Sequence, residues 1–409
     1  MQRQVERYIG LDIHKAYFVA VGVNGAKEVV LHSQRVANSE LERWIVKVLR
    51  PSDAVVLEMT TNTWFFVDAL QPHVASVTVV HPPHVAFITK AQVMNDKKAS
   101  LILAKLHAAG LLPEVWAPPQ AVRDLRALVA QRRKMSTLSA QAKCRLQAVL
   151  HRLRIMPPAG LDLYSSEAQA WWQGLPVSAL ERFRIGSDLD TLVFANQQIK
   201  RLETALGALA AADDRVPLLV QLAGFGLTTA MTVLAAIGEI QRFPSPDQLV
   251  GYSGLGARVH ESGELHWRGR ITKAGRRDLR WVMVQAAHNA IKHHPHWKRE
   301  YERLEARIGR PKARVAIARK LLVAVWHVLT KECADRFAEP TNVARSFFGL
   351  AYDIGVRNLP GDLTALAFTR QQLDRLGLGA ELTHLPWGSK TFKLPPSSLR
   401  PQHSENTSA

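Results

Sequence analysis

An acidic residue inside the first predicted strand restricts what this chain can fold into more than any other feature. Residues 7–15 read RYIGLDIHK, and the apolar residues around Asp12 predict a β-strand that carries a carboxylate near its centre. A buried carboxylate is costly unless it is paired or binds a cation. A carboxylate at the end of a strand can instead bond to the nearby backbone. The first strand alone leaves both interpretations open.

Strand and helix patterns alternate over the first 117 residues. After the first strand, the predicted elements are strands at 16–23, 28–32, 53–58 and 74–80 and helices at 38–48, 64–70 and 86–110. The order β-β-β-α-β-α-β-α predicts an α/β domain of the RNase H-like class, with a mixed five-stranded sheet and helices on its faces.

Two more acids occupy positions from which they can meet Asp12. Glu58 ends the fourth predicted strand, and Asp96 lies in the last predicted helix of the domain. We expect the three carboxylates to converge at one edge of the sheet, where they repel one another unless divalent metal lies between them. Metal ions held by carboxylates can activate one oxygen and stabilise another in phosphodiester displacement. Because the chain has 35 acidic residues, a chance grouping of three unrelated acids is the alternative.

The excess of basic residues predicts a polyanionic partner. The chain has 53 Lys and Arg against 35 Asp and Glu, which gives a formal net charge of +18 and a pI near 10.2. Such an excess is typical of proteins that bind nucleic acid. Two cysteines are too few for a zinc cluster or a disulfide framework. The sequence has neither a signal-peptide nor a membrane-span pattern, so we expect a cytoplasmic protein with no membrane partner.

A long basic helix is predicted at 122–154, with a length of about 50 Å by its rise per residue. Asp124 is the only acid in it, and helices that carry one sign of charge favour phosphate contact over a solvated coiled-coil face. A second long helix, predicted at 188–211, suggests a coiled-coil spacer and an oligomer, either a homodimer or a tetramer. The basic residues at the centre of the first helix are Arg132, Arg133 and Lys134.

A mainly α-helical domain is predicted to follow, with a turn that is similar to a helix-hairpin-helix element. The turn is Gly224-Phe225-Gly226, between two apolar helices. Glycines let backbone amides approach a phosphate closely without reading the base sequence. A plain tight turn is the alternative interpretation.

The basic, glycine-rich stretch 258–280 contains a candidate nucleophile, Ser262. A hydroxyl beside several arginines suits attack on a phosphodiester, because guanidinium groups offset the charge of the transition state. From the chemistry alone, a Ser-Gly turn in a basic loop is the simpler interpretation. The candidate phosphate-binding residues of this stretch are Arg258, Arg268, Arg270, Lys273, Arg276, Arg277 and Arg280.

Taken together, these motifs resemble one known family. The segments GLDIHK, EMT and NDKK, which contain Asp12, Glu58 and Asp96, resemble the RuvC-like domain of the DEDD transposases of bacterial insertion sequences, the insertion-sequence-110 family. The resemblance continues to about residue 330. There the pattern ESG, then G-x-I-x-K-x-G, then L-R is similar to the C-terminal transposase domain of that family.

The resemblance implies a domain order and a chemistry. It implies that Asp12, Glu58 and Asp96 coordinate Mg²⁺, that Ser262 forms a covalent link to DNA, and that a structured guide RNA selects the target and donor. The acids and Ser262 would act over the same phosphate, brought together across a dimer. The segments would be a RuvC-like domain at 1–117, a helical coiled-coil region at 118–212, a C-terminal transposase domain at 213–335, and a small appendage with a disordered tail at 336–409.

One position departs from the family pattern. The last acidic element of the family reads Asp-x-x-Asp-Ala, whereas this chain reads DKKAS from Asp96, and Ala99 cannot bind a metal. Three functions therefore stay open. The first is an RNA-guided DNA recombinase or transposase with a serine nucleophile. The others are a RuvC-like metal-dependent nuclease that uses water, and a catalytically impaired nucleic-acid-binding protein.

Overall fold

A mixed β-sheet forms the centre of the first of two units into which the chain divides, residues 1–119 and 120–409. The structure is a computed structural model that describes residues 5–81, 95–262 and 265–399, with the side chains of 259–268 outside the description. The elements of the first unit are strands β1 (Arg7–Ile13), β2 (Tyr17–Asn24), β3 (Val29–Ala37), β4 (Asp53–Glu58), β5 (Ser76–Val80) and β6 (Glu114–Val115) and helices α1 (Leu41–Val48), α2 (Thr63–Leu70) and α3 (Asp96–Ala108).

Six described strands lie in the order β3-β2-β1-β4-β5-β6. The central strands β1, β4 and β5 are parallel, and β2, β3 and β6 run antiparallel to their neighbours. The predicted α/β class is confirmed, but the predicted five strands miss β6, because a strand of two residues is too short to show alternation. The predicted helix at 86–110 is observed as Asp96–Ala108, because Asn95 is an extended N-cap residue at which the helix begins; residues 86–94 lie outside the described residues.

Helices cover both faces of the sheet. On one face, Ile9, Leu11 and Leu57 are fully buried in a core that α1 and α2 complete. On the other face, Val56 packs against Leu103 of α3. Side chains alternate between faces along a strand, so each strand supplies apolar residues to both layers. A largely parallel sheet buried on both sides is the arrangement that such apolar runs favour.

Gly10 allows α3 to lie directly on β1. A Cβ atom at Gly10 would lie far inside contact distance of the Ser100 carbonyl oxygen and 2.8 Å from the Ala104 nitrogen. Glycine is therefore required here by the close approach of two backbones. Because alternate residues of a strand share a face, Asp12 lies on the α3 side as well.

A buried ion pair sets the register of β1 against β4. Arg7 and Asp53 lie opposite each other in this parallel pair, and Arg7 Nε and Nη2 donate to the two carboxylate oxygens at 2.8 and 2.7 Å. Both side chains are buried. Continued along both strands, the same register brings Asp12 level with Glu58 at the carboxyl ends of the strands.

The second unit is mostly helical, as predicted. Among the described residues, every helix is too short or too polar to span a bilayer. The helices are α4 (Gln120–Leu153), α5 (Ala168–Gln173), α6 (Ala179–Ala211), α7 (Arg215–Val220), α8 (Leu227–Ile237), α9 (Pro246–Ser253), α10 (Arg277–His293), α11 (Pro295–Ile308), α12 (Arg310–Lys331), α13 (Pro340–Ile354) and α14 (Ala365–Arg375), and the strands are β7 (Ala257–Ser262), β8 (Leu265–Ile271), β9 (His384–Trp387) and β10 (Lys390–Lys393).

The two long helices α4 and α6 pack antiparallel to each other within one chain. Apolar residues such as Leu146 and Leu192 fill the space between them. Polar contacts cross between the helices at successive levels: Arg132 to Glu203, Ser139 to Asn196, Arg145 to Asp188, and Arg152 to Glu181. The apolar stripe of α4 is therefore covered by the chain itself. The prediction that these paired helices mark an oligomer stays a prediction.

The C-terminal segment packs into the second unit. Phe347 of α13 is fully buried in the large core to which helices from α7 onward contribute. Arg370 of α14 is 4% exposed and donates to the carbonyls of Gly379 at 2.8 Å and Pro395 at 3.0 Å. The expected small appendage is thus a contributor to the core, because its prolines interrupt the periodicity that reveals buried helices. Residues 400–409, at the end of the predicted appendage and tail at 336–409, lie outside the described residues, and the boundaries at 212 and 335 stay predictions.

We predict that Gly10→Ala destabilises the first unit, because the added methyl group meets the backbone of α3. Overpacking of this kind costs about 1–3 kcal/mol, and a backbone obstacle places the cost at the upper end of that range. Urea unfolding of the full chain measures the loss. Gly25→Ala is the control, because a Cβ atom there meets nothing within 4 Å. Equal unfolding midpoints for the two variants would contradict the proposed contact.

Candidate functional site

Three polar side chains meet where β1 ends on the α3 face of the sheet. Asp12, His14 and Asp96 each present a ligand atom, and these atoms all lie within 4.8 Å of one another. His14 Nε2 is 3.5 Å from Asp12 Oδ2 and 3.4 Å from Asp96 Oδ2. The structure thus brings together two of the predicted acids and adds a histidine.

Local hydrogen bonds hold Asp96 at the start of α3. The Asn95 side chain accepts a hydrogen bond from the Lys98 backbone at 2.9 Å, so it caps the helix and makes Asp96 the first helical residue. The Tyr17 hydroxyl donates to Asp96 Oδ2 at 3.0 Å. The cap and the tyrosine together orient the carboxylate of Asp96 towards the end of β1.

The backbone at His14 is held by two asparagines. Asn38 Nδ2 donates to the His14 carbonyl oxygen at 3.1 Å, and Asn62 Nδ2 donates to the same oxygen at 3.2 Å. Asn62 belongs to the loop that follows β4, so it connects the ends of the two strands that carry Asp12 and Glu58. The site is therefore held by side chains from several loops rather than by one turn.

Glu58 lies on the strand next to Asp12 and on the same face of the sheet. Among the described residues, it stands outside the group of atoms within 4.8 Å. Thr63 Oγ1 donates to the Glu58 carbonyl at 3.1 Å and fixes the end of β4. Burial raises the pKa of Glu58 above its usual value, and the negative charge of Asp12 raises this pKa further.

The electrostatics of the cluster favour a bound cation. Burial raises the pKa of Asp12 above its usual value. The neighbouring His14 lowers the pKa of Asp12, and the negative charge of Asp96 raises it. His14 Nε2 is buried and makes no hydrogen bond to the described residues. Carboxylates supply the hard oxygen ligands of divalent metals, and imidazole nitrogen is a further ligand for several of them. The side chains present therefore fit a divalent cation.

The basic stretch 258–280 forms a hairpin that leads into a helix, rather than the predicted loop. Ser262 is the last residue of β7 and is paired across the hairpin with Leu265. The side chains of Ser262 and Arg268 lie outside the described residues. Alternating basic and apolar residues explain the hairpin, since they suit two strands with one exposed face.

Comparison with known proteins adds two family matches. Residues 9–155 match the DEDD transposase family of IS110 type, and residues 216–302 match the Transposase IS116/IS110/IS902 family. Asp12, Glu58 and Asp96 fall inside the first match, and Ser262 falls inside the second.

The chain belongs to the IS110 family of transposases. This membership makes it a DNA transposase or recombinase. It is 23% identical over 339 residues to the transposase for insertion sequence element IS1111A of Coxiella burnetii, a match that covers 80% of this chain and 90% of that protein. It is 24% identical over 341 residues to the "Probable family 20 transposase" of Pseudomonas aeruginosa, which covers 80% of this chain and 98% of that protein.

Two residues of the cluster in this IS110-family transposase escaped the sequence prediction. His14 stands two positions after Asp12, and a histidine at a strand end beside an acid was an available signal. Tyr17 gave no such signal, because its hydrogen-bond partner Asp96 is 79 positions away. Contacts over that separation depend on how α3 docks on the sheet.

Ala99 occupies the position of the missing fourth acid. It lies one turn after Asp96, at the spacing that places two side chains on the same face of a helix. Its neighbour Ser100 is buried, and Ser100 Oγ lies 2.8 Å from the Val19 carbonyl oxygen. Ser100 is therefore a packing residue and does not replace the absent carboxylate.

The basic residues of α4 differ in their partners within the chain. Arg132 Nη2 lies 2.6 Å from Glu203 Oε1 of α6, so its charge is paired within the chain. The sequence interpretation missed this pairing because the acids that balance α4 lie on another helix. Arg133 and Lys134 are exposed, and Arg133 Cζ lies 4.7 Å from the centre of the Trp281 ring.

The basic residues after the hairpin divide in the same way. Arg276 Nε donates to Asp278 at 3.1 Å, and Arg280 donates to the Ser253 carbonyl at 2.9 Å, so both make folding contacts. The exposed members of the predicted set are Arg258, Arg270, Lys273 and Arg277. Their contact with nucleic acid stays a prediction.

The glycine turn between α7 and α8 has an internal packing role. Gly224 has φ of +83°, and a Cβ atom there would run into the Ala286 carbonyl of α10. Phe225 is buried, whereas Gly226 is exposed at the start of α8. Packing against α10 therefore accounts for Gly224, and phosphate binding by this turn stays a prediction.

We predict that Asp12→Asn stabilises the metal-free protein at neutral pH. Because burial raises the pKa of Asp12, its ionised form opposes folding above that pKa. Below the ordinary value of 3.8, both folded and unfolded states are protonated and the cost disappears. Urea unfolding in EDTA should therefore give a higher free energy of unfolding for the variant than for the wild type at about pH 7. This difference should vanish near pH ~3.

In magnesium, the wild type should instead be more stable than Asp12→Asn. A cation that binds only the folded protein at 100 times its Kd stabilises it by about 2.7 kcal/mol, and Asp12→Asn should lose most of that gain. Glu42→Gln, at an exposed acid of α1, is the control and should respond like the wild type. An equal magnesium response from wild type and Asp12→Asn would contradict the cation site.

Proposed function

We propose that this IS110-family transposase cuts and rejoins DNA with a metal-assisted serine nucleophile, at sites chosen by a guide RNA. The observation that carries the proposal is the meeting of Asp12 and Asp96 with His14, beside Glu58 at the end of the adjacent strand. Strand order and the position of these acids also support an RNase H-like assignment for the first unit.

Asp12, Asp96 and Glu58 would hold Mg²⁺ in this function. Bound magnesium would supply Lewis-acid stabilisation to an oxygen of the reacting phosphodiester. Tyr17 would keep the Asp96 carboxylate in place through its hydrogen bond, and His14 Nε2 lies 3.5 Å from Asp12 Oδ2 and 3.4 Å from Asp96 Oδ2, next to the bound ion.

Ser262 would be the group that forms the covalent link. Its hydroxyl oxygen would bond to phosphorus while the bond from phosphorus to one strand oxygen breaks. The hydroxyl proton passes to a base and the released oxygen takes up a proton, so charge and atoms balance. The exposed cations Arg258, Arg270 and Arg277 would offset the charge that builds up on phosphate oxygens.

The proposed partners are DNA, a guide RNA and further copies of the chain. The net charge of +18 and the exposed cations support a nucleic-acid partner. An oligomer, either a homodimer or a tetramer, is supported by large apolar side chains that α6 leaves exposed. These side chains are Leu180, Phe183, Val193 and Phe194.

A metal-dependent nuclease that uses water is the second candidate. It is favoured by the grouping of Asp12, His14 and Asp96 within the first unit, which is the group of ligand atoms found among the described residues. Such an enzyme would cleave DNA with no covalent attachment to protein.

We predict that Ser262→Ala abolishes a covalent protein–DNA adduct, because no oxygen nucleophile remains at that position. The measurement is a denaturing gel of the wild type and the variant, incubated with labelled element ends, the element RNA and Mg²⁺. Ser166→Ala, at an exposed serine in another region, is the control and should keep the adduct. An adduct that survives Ser262→Ala would exclude this nucleophile, and cleavage that persists without an adduct would favour the nuclease.

We also predict that Ala99→Asp raises magnesium affinity and the rate of DNA cleavage. The new carboxylate would stand one helical turn from Asp96 and supply a further oxygen ligand. Ala99→Asn is the matched control, since it adds a similar volume without charge. Magnesium titration of both variants and of the wild type measures the effect. If the wild type is inactive and only Ala99→Asp cleaves, the natural chain is the impaired binding protein.

A further inference from the structure

Trp281 is a large aromatic residue that the core of the second unit does not use. Its side chain lies on α10, is 43% exposed, and stands outside the set of residues that form that core. Tryptophan is highly buried on average, so such exposure calls for a reason. Arg133 of α4 lies over its ring, 4.7 Å from the centre, so a cation from one helix covers a face of the aromatic ring of the other.

A groove runs along α4, α8 and α10 beside this pair. One cavity of about 520 Å³ is lined by residues of all three helices, among them Lys134, Thr228 and Trp281. An adjoining cavity of about 730 Å³ shares Arg133 and Trp281 with it. We refer to the two together as the Trp281 groove. Each of the two cavity volumes lies in the range of sites that bind small organic molecules.

The groove carries a net positive charge. Arg132 is paired with Glu203, and Asp278 is paired with Arg276, so these lining charges are balanced. Arg145 is paired with an acid of α6 in the same way. Arg133 and Lys134 are left as the exposed cations of the groove without an acidic partner among the described residues.

The other lining groups suit a nucleobase. Thr137, Gln141 and Thr228 offer hydroxyl and amide groups that can donate or accept hydrogen bonds. Aromatic faces bind bases of any sequence by stacking, and nearby cations contact the backbone phosphates. A protein partner would instead favour a wider apolar surface with few charges at its centre.

We propose that the Trp281 groove binds an unpaired nucleotide of the DNA being recombined. The base stacks on Trp281 in place of the Arg133 guanidinium, which turns with Lys134 to the adjoining phosphates. This inference rests on the proposed function, because strand exchange requires that the duplex be opened. DNA is favoured over RNA because α10 follows directly from the β7–β8 hairpin that carries Ser262.

Fluorescence anisotropy of labelled single-stranded DNA, titrated with full-length protein in EDTA, tests the proposal. The variant Trp281→Ala loses one stacking contact, so its affinity for single-stranded DNA should be about tenfold or more below that of the wild type. Trp281→Phe should restore most of the affinity, because it keeps an aromatic face. Duplex DNA of the same length should bind wild type and Trp281→Ala alike.

Two controls separate stacking from other effects. Trp387→Ala removes a tryptophan of similar exposure, 42%, from β9, and it should leave single-stranded DNA binding unchanged. Lys134→Gln should weaken binding and reduce its salt dependence, because one phosphate contact is lost. The unfolding midpoint of Trp281→Ala should match the wild type, since the large core does not include this side chain.

Three results would overturn the proposal. The first is equal affinity of wild type and Trp281→Ala for single-stranded DNA. The second is a larger loss for RNA of the same sequence than for DNA, which would assign the groove to RNA. The third is a change in oligomeric state of Trp281→Ala in light scattering, which would assign it to a second copy of the chain.

The binding assay does not depend on catalysis. It contains no divalent metal and does not use Ser262 or Asp12. If no covalent adduct is found but Trp281→Ala binds single-stranded DNA more weakly than the wild type, the proposed serine chemistry is wrong and the proposed nucleotide site is supported. If the adduct depends on Ser262 but Trp281→Ala binds single-stranded DNA as tightly as the wild type, the nucleotide site is wrong and the serine chemistry is supported.

Discussion

The buried ion pair between Arg7 and Asp53 is the interaction on which the geometry of the candidate metal site depends. It joins β1 to β4 at the start of both strands, and both side chains are buried. Because side chains alternate along a strand, a slip of one residue would turn Asp12 to the opposite face of the sheet. Breaking a buried ion pair is strongly destabilising, because it leaves a buried charge without a partner. The pair of Arg7 and Asp53 therefore keeps Asp12 beside Glu58.

The site combines a rigid scaffold with charges that oppose folding. The backbone contact at Gly10 fixes α3 on the sheet, and the cap at Asn95 starts that helix at Asp96. The carboxylates brought together in this way are half-buried and repel one another, as the raised pKa values of Asp12 and Glu58 indicate. Strain of this kind at a site is typical of residues kept for binding or catalysis rather than for stability.

Sequence reasoning recovered the features that follow from local patterns. Short apolar runs located the strands that carry Asp12 and Glu58, and helical periodicity located the helix that carries Asp96. It missed His14 and misread the charge of α4, because the partner of Arg132 is 71 positions away on another helix. Register and long-range pairing depend on how elements dock, and the pattern within one element does not contain that information.

The central claim is that the edge of the sheet in this IS110-family transposase holds a divalent cation through Asp12 and Asp96. The most direct measurement is the anomalous scattering of Mn²⁺ in crystals of the full chain grown with that metal. We expect a peak within ligand distance of both carboxylates, and its loss in Asp12→Asn crystals. Anomalous peaks at other positions, with none within ligand distance of Asp12 or Asp96, would contradict the claim.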